Sequence, residues 1–203
     1  MSGPDPAIPE IPKPAAAAAE RLDPLVPPAI VNHSLRTMRY ALVLADGLDL
    51  DGDRRDALAV ACVLHDIGAS AASGGELRFE VAGADRAVEI AAEVGVADDQ
   101  LRDVWLAIAL HTSAHIAEGA GDLPRLTRFA VRTDFGWRQP ADGMRTAVEA
   151  DLPRLDIERV LGTAVLTLAV ADSRRAPENS WQRALLDAHS ADPSDPDSHM
   201  RAF

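Results

Sequence analysis

The chain has 203 residues, 47% of them hydrophobic and only 4% aromatic, with a formal net charge of −12 at pH 7. That is enough chain for one domain with an enclosed core, and its acidity sets it against the phosphate backbone of a nucleic acid, while a small anionic substrate stays compatible through a bound metal. The single cysteine, Cys62, excludes an intrachain disulfide framework, and no apolar stretch approaches the roughly 18 residues of a membrane span.

Residues 1–26 read as a Pro/Ala-rich arm with proline-fixed backbone. They lack the basic start and continuous apolar run of a signal peptide, so a cytoplasmic location is expected. Residues 27–186 read as one domain of consecutive helices. Asn32 is placed to cap a helix from His33 to about Ala45. A buried helix is expected over 54–66, "RRDALAVACVLHD", with Gly68 as its stop. The Gly/Ser-rich "GASAASGGELRFE" reads as a loop. Helices follow at 83–94, ended by Gly95, and at 98–112. Pro124 opens another that carries Asp134, and two more are expected at 141–150 and 156–174. Residues 187–203, "DAHSADPSDPDSHMRAF", read as a flexible tail. No segment alternates with the period of a strand, so the expected class is all-α, a helical bundle.

The residues able to carry chemistry are His33, His65, Asp66, His111, His115, Asp134 and Asp172, each on an expected helix or at its end. Two imidazoles and two carboxylates suffice to hold one divalent cation and leave positions for water; mixed nitrogen and oxygen donors suit Zn, Fe or Mn. His65 and Asp66 are adjacent, and neighbours on a helix point ~100° apart. Both reach one ion only if it sits beside the last turn. Such an ion also accounts for a polar pair ending so apolar a helix. The other reading of His65 is a cation at a helix C-terminus.

Five blocks then stand in order: "VNHSLRT" at 31–37, "LHDIG" at 64–68, "RFEVAGADRA" at 78–87, "WLAIALHTS" at 105–113 and "APENSW" at 176–181. From about Pro27 to Trp181 the chain resembles the HD-domain superfamily of metal-dependent hydrolases, and within it the cyanamide hydratase-like branch. The resemblance implies an HD-like helical bundle around a metal site. The metal would be held by His33, His65 and Asp66, with Asp134 of "FAVRTDFGW" as fourth ligand and Asp172 of "AVADSRR" as the alternative. Zn2+ is the first choice of ion, with Fe2+ or Mn2+ as alternatives.

Asp66 and His111 are the expected catalytic residues. His111 is placed in the pocket, touching substrate or water; a second metal held by His111 and His115 is the other reading, with His115 otherwise on the surface. Arg36, Thr37, Arg78, Glu80 and Thr112 belong to the matched blocks and are expected, with His111, to bind substrate. Arg36 lies one turn beyond His33 and could instead lock a carboxylate that supports a ligand. Arg78 and Glu80 sit in the loop after the HD pair, which could close over the site.

A divalent cation with open positions yields a nucleophilic water at neutral pH. The sequence has no Gly-rich phosphate loop, and its one lysine, Lys13, lies in the arm. The expectation is hydration or hydrolysis of a small C–N compound, with cyanamide as the sharpest choice. The alternative is a phosphohydrolase acting on a nucleotide or phosphate ester, and a further one is a non-catalytic helical ligand-binding protein. The expected partner is a small-molecule substrate, with neither nucleic acid nor membrane engaged and a homo-oligomer left open.

Overall fold

Among residues 8–202, which the computed structural model describes, every regular element is helical and no strand occurs. The helices are α1 (Lys13–Leu22), α2 (Pro28–Ala45), α3 (Gly52–Leu64), α4 (Phe79–Glu93), α5 (Leu101–Leu110), α6 (Ile116–Gly119), α7 (Asp122–Asp134), α8 (Met144–Asp151), α9 (Ile157–Ala171) and α10 (Trp181–Ala191). The all-α class is as expected. None of these helices is long and apolar enough to cross a membrane.

α3 is the innermost element. Asp51 caps it by accepting a hydrogen bond from the Arg54 backbone N–H at 2.9 Å. Every residue from Ala57 to Leu64 is fully buried. The helix packs against α1, α2, α4, α5 and α7. A helix apolar all round belongs in the interior, so its last turn delivers whatever follows to the centre of the molecule.

α2 crosses α3 and α7. It starts at Pro28, five residues before the expected start. Proline at the first helical position lacks only an N–H that would go unpaired anyway, and the early start buries Ala29, Ile30 and Val31. Asn32 is therefore inside the helix rather than its cap, and its side chain donates to the Pro153 carbonyl at 2.9 Å.

The expected arm and tail both carry packed structure. Residues 1–7 of the arm and Phe203 of the tail lie outside the described residues. From Lys13 onward the arm is helix α1: Pro14 falls in its first turn, where proline is tolerated, and the alanines beyond it are strong helix formers. Ala15, Ala18 and Leu22 are fully buried. At the other end, α10 is capped by Ser180 and runs on into the tail as far as Ala191, and a 3₁₀ turn over Ser198–Ala202 buries Ser198 and His199. Trp181 Nε1 donates to the Ala202 carbonyl at 3.2 Å, which ties the two pieces together. Composition alone misread both ends because few apolar side chains do the anchoring.

Gly68 has a different task from the helix stop expected of it. It lies in a 3₁₀ turn, Ile67–Ala69, directly after the His65–Asp66 pair. A Cβ there would overlap the Phe79 carbonyl oxygen and sit 2.9 Å from Gly83 N, and a Cβ on Gly83 would sit 2.9 Å from Gly68 N. The two glycines let α4 touch the turn, and the obstructing atoms are backbone that cannot rotate away. Gly68→Ala is therefore expected to lower stability by at least about 1–3 kcal/mol, read from urea unfolding. Gly74→Ala, whose Cβ meets nothing within 4 Å, serves as the control; equal stability of the two variants would contradict this packing.

Candidate metal centre

α3 ends at Leu64, two residues before the expected end at Asp66. His65 keeps helical backbone angles, φ −59° and ψ −30°. Asp66 moves to φ −102° and ψ 10°, the bridge region that active-site residues often occupy. This change of direction turns the Asp66 carboxylate back toward the His65 ring. Nε2 of His65 lies 3.1 Å from Asp66 Oδ2. From the middle of α2, His33 Nε2 reaches to 3.1 Å from His65 Nε2 and 3.5 Å from Asp66 Oδ2. All three residues are buried, and one ligand atom from each lies within 4.8 Å of the others.

The other edge of each ring is tied down. His65 Nδ1 donates to the Cys62 carbonyl at 2.7 Å, and His111 Nδ1 donates to the Ile108 carbonyl at 2.7 Å. A carbonyl only accepts, so Nδ1 of each ring carries a proton, and Nε2 is the edge left to face Asp66, as a donor when protonated and as a ligand when not. His33 Nδ1 contacts Asp134 Oδ2 at 2.7 Å. Three Nε2 atoms consequently converge on one carboxylate, for His111 Nε2 lies 3.5 Å from Asp66 Oδ1.

Two imidazole lone pairs facing each other at 3.1 Å repel unless a proton or a cation stands between them. Asp66 Oδ2 is also a buried oxygen that accepts no hydrogen bond, a costly arrangement without a positive partner. Nitrogen and oxygen ligands at 2.0–2.1 Å on a tetrahedral zinc stand about 3.3 Å apart, close to the 3.1, 3.1 and 3.5 Å found here. The donor set of His33, His65 and Asp66 therefore fits a borderline-soft divalent cation.

The protonation preferences agree with a strongly polarised cluster. Burial draws His33 below its ordinary range despite the neighbouring Asp134. Burial opposes charge on His65 too, but the adjacent Asp66 carboxylate outweighs it and holds the ring above its ordinary range. Asp66 resists the upward push of burial, because His65 and His111 beside it hold it well below the usual carboxylate range. Cys62, one turn before the pair, is pushed up to about 12 by burial and is an inert packing residue.

Neither candidate for the fourth ligand joins the cluster. Asp134, the last residue of α7, sits on the Nδ1 side of His33, away from Asp66. Its oxygens are taken by Arg36, whose Nε and Nη2 donate to Oδ1 and Oδ2 at 2.7 Å each. Burial pushes the Asp134 carboxyl up, but Arg36 and His33 hold it far below the usual range. The arrangement orients His33 from behind, as carboxylates commonly do for metal-bound histidines. Asp172 lies after the end of α9 and pairs with Arg174 at 2.7 Å.

The residues expected to touch substrate separate in the same way. Arg36 is fully buried; besides Asp134 it donates to the carbonyls of Leu152 and Pro153 at 3.1 and 3.2 Å, so it locks a supporting carboxylate. Thr37 is buried in α2. Glu80 is fully buried and accepts from Arg78, Thr112 and Gln182. Arg78 and Glu80 thus pin the loop after the HD pair to α10. Thr112 and His111 do line a cavity, together with Asp66. His115 is exposed with φ +65°. α5 ends at Leu110, so the i, i+4 spacing of His111 and His115 no longer puts them on one face.

The cavity holds about 320 Å³. Asp66 and His111, buried to 1% and 3% exposure, form its floor. Val131, Phe135, Leu161 and Trp181 supply apolar walls, while Arg132 and Trp137 complete the rim. Sequence reading missed this wall, since apolar residues from α7, α9 and α10 carry no local signal of a shared cavity. A periodicity signal did exist at the end of α7, where positions 128, 131 and 132, and Phe135 directly after the helix, recur at helical spacing.

A family model of the HD domain matches residues 30–173. The chain belongs to the HD-domain family. HD domains are metal-dependent and of hydrolase type, and the match spans the region from α2 to the residues just after α9, including His33, His65 and Asp66. Trp181 and Ala202, which help to close the HD cavity, lie beyond the matched residues. No curated protein gives a match.

Proposed function

We propose that this HD-domain protein is a metal-dependent hydratase or hydrolase of a small C–N compound, of the cyanamide hydratase type. The observation that carries the reading is the convergence of three imidazole Nε2 atoms on the Asp66 carboxylate at the floor of a mostly apolar cavity. His33, His65 and Asp66 would hold the divalent cation, with Zn2+ the first candidate. When bound, such an ion lowers the pKa of a water molecule and polarises an electrophile beside it.

The residues of the chain supply the rest. Asp66 holds one carboxylate edge toward His33 and His65 and the other toward His111. The edge facing His111 is suited to accept the proton that the attacking water loses. His111 relays a proton to the substrate nitrogen, with its Nδ1 anchored on the Ile108 carbonyl. For a nitrile-like substrate, the water oxygen bonds to carbon, one π bond of C≡N breaks, and the nitrogen gains the proton. The imidic acid so formed passes its O–H proton to nitrogen and becomes the amide; cyanamide plus water would give urea.

The cavity wall favours this chemistry over phosphate ester cleavage. Of its two arginines, Arg128 is already engaged by Glu118 at 3.0 Å and by the His111 carbonyl at 3.0 Å. A phosphate dianion would find few uncommitted donors. The test is metal analysis of the purified protein together with a panel of cyanamide, neutral nitriles and phosphate monoesters. The expected outcome is about one equivalent of divalent metal and an amide or urea product. Release of inorganic phosphate without any C–N turnover would establish the phosphohydrolase reading instead, and a metal-free protein that turns over nothing would overturn both.

A further inference from the structure

From Arg132 we infer that the substrate is an organic monoanion, a carboxylate with an apolar body, whose charge is read by this guanidinium at the cavity rim. The inference rests on the proposed C–N reading and narrows its substrate class. A cavity of about 320 Å³ lies at the lower end of sites that enclose a small organic ligand, and is roughly ten times the ~30 Å³ share of one water. A molecule of three heavy atoms such as cyanamide would leave most of it unfilled. Phe135, Leu161 and Trp181 instead offer contact to a ring or branched alkyl group.

Arg132 is distinctive in its surroundings. The protein carries 32 acidic against 20 basic residues, and Arg36, Arg128, Arg145 and Arg154 near the site have carboxylate acceptors, on Asp134, Glu118, Glu149 and Glu149. Arg138 has none either, but it lies over the Phe129 ring and lines a different cavity, so Arg132 is the cavity's one arginine without such an acceptor among the described residues. Its guanidinium lies 4.8 Å from the centroid of the Trp137 ring, and Trp137 is 67% exposed. Stacking on an indole holds the plane of the guanidinium and leaves its N–H edge for a planar acceptor, which a carboxylate matches. One uncommitted guanidinium answers one negative charge. With the anion at the rim, the apolar body lies along the wall and the reacting C–N group reaches Asp66 and His111 at the floor.

The test uses the full chain with its metal content measured, and three probes: benzoate, benzamide and phenyl phosphate, titrated calorimetrically. Wild type is expected to bind benzoate roughly tenfold or more tightly than benzamide, the worth of a charge-assisted hydrogen-bonded pair. Arg132→Ala should abolish that preference at unchanged metal content, and Arg132→Lys should keep part of it. A benzoate preference that persists in Arg132→Ala would assign the anion to the metal and overturn the inference, as would equal binding of benzoate and benzamide to wild type. An Arg132-dependent preference for phenyl phosphate over benzoate would overturn it in favour of a phosphate ester. A second arm compares turnover of 4-cyanobenzoate with benzonitrile. If neither reacts while the Arg132-dependent benzoate preference stands, the C–N reading fails and the recognition holds. If both react equally in wild type and Arg132→Ala, the recognition fails and the C–N reading holds.

Discussion

Asp66→Ala is expected to empty the metal centre and lower turnover by roughly 10²–10⁴-fold, the range for removing a positioned acid or base. Asp66 is the hub of the cluster: Oδ2 faces His65 at 3.1 Å and His33 at 3.5 Å, and Oδ1 faces His111 at 3.5 Å. Its loss removes a ligand and the proton acceptor together. His65→Ala should likewise strip the metal, since His65 Nε2 is the atom closest to both other donors. His115→Ala should leave metal content and rate as they are, because that residue is exposed and outside the cluster. Elemental analysis and steady-state kinetics on the three variants check this. Full metal occupancy in Asp66→Ala would refute the assignment of the centre.

Asp134→Ala is expected to destabilise the fold by about 3–5 kcal/mol, the cost of leaving a buried charge unpaired, because Arg36 would stay in the interior without its carboxylate. The metal should remain bound, with affinity reduced about 10–100-fold through the loosened His33 ring. Chemical unfolding and metal titration separate this supporting role from that of a ligand; a variant that folds normally and binds no metal would return Asp134 to the first coordination sphere. The pH dependence follows from the depressed Asp134 pKa. An unfolded aspartate titrates near about 3.9, so the stabilisation from this pair is complete above that value and is lost as pH falls below it toward the lower folded value. Wild type should therefore lose stability on acidification below about pH 4 along a limb that Asp134→Asn lacks.

Much of the helical class was written locally. The all-round apolar stretch from Ala57 to Leu64 announced an interior helix, whereas the His65–Asp66 pair at its end pointed to a cation only together with the neighbouring blocks, since His65 alone also suited a helix C-terminus. His33 was also recoverable, through its block and its place on a helix rather than through any property of the residue alone. The helix starts were less so: Asn32 looked like a cap, while the start at Pro28 depended on burying Ala29, Ile30 and Val31 against other elements. The N-terminal helix α1 was hidden because proline breaks a helix interior yet is accepted in the first turn.

Which carboxylate supports which ring is a question of three dimensions. Asp134 and Asp172 are both aspartates at helix ends, and residue type does not distinguish them; only the packing of α7 against α2 puts Asp134 behind His33 and in the grip of Arg36, while Asp172 faces its own Arg174. The same holds for the cavity. Residue identity and spacing encode the donors that make a metal centre, since ligand chemistry is a property of side chains and helical period. The wall from Val131 to Trp181 and the uncommitted guanidinium of Arg132 exist only once α7, α9 and α10 are assembled, because a cavity is the space that separate helices fail to fill.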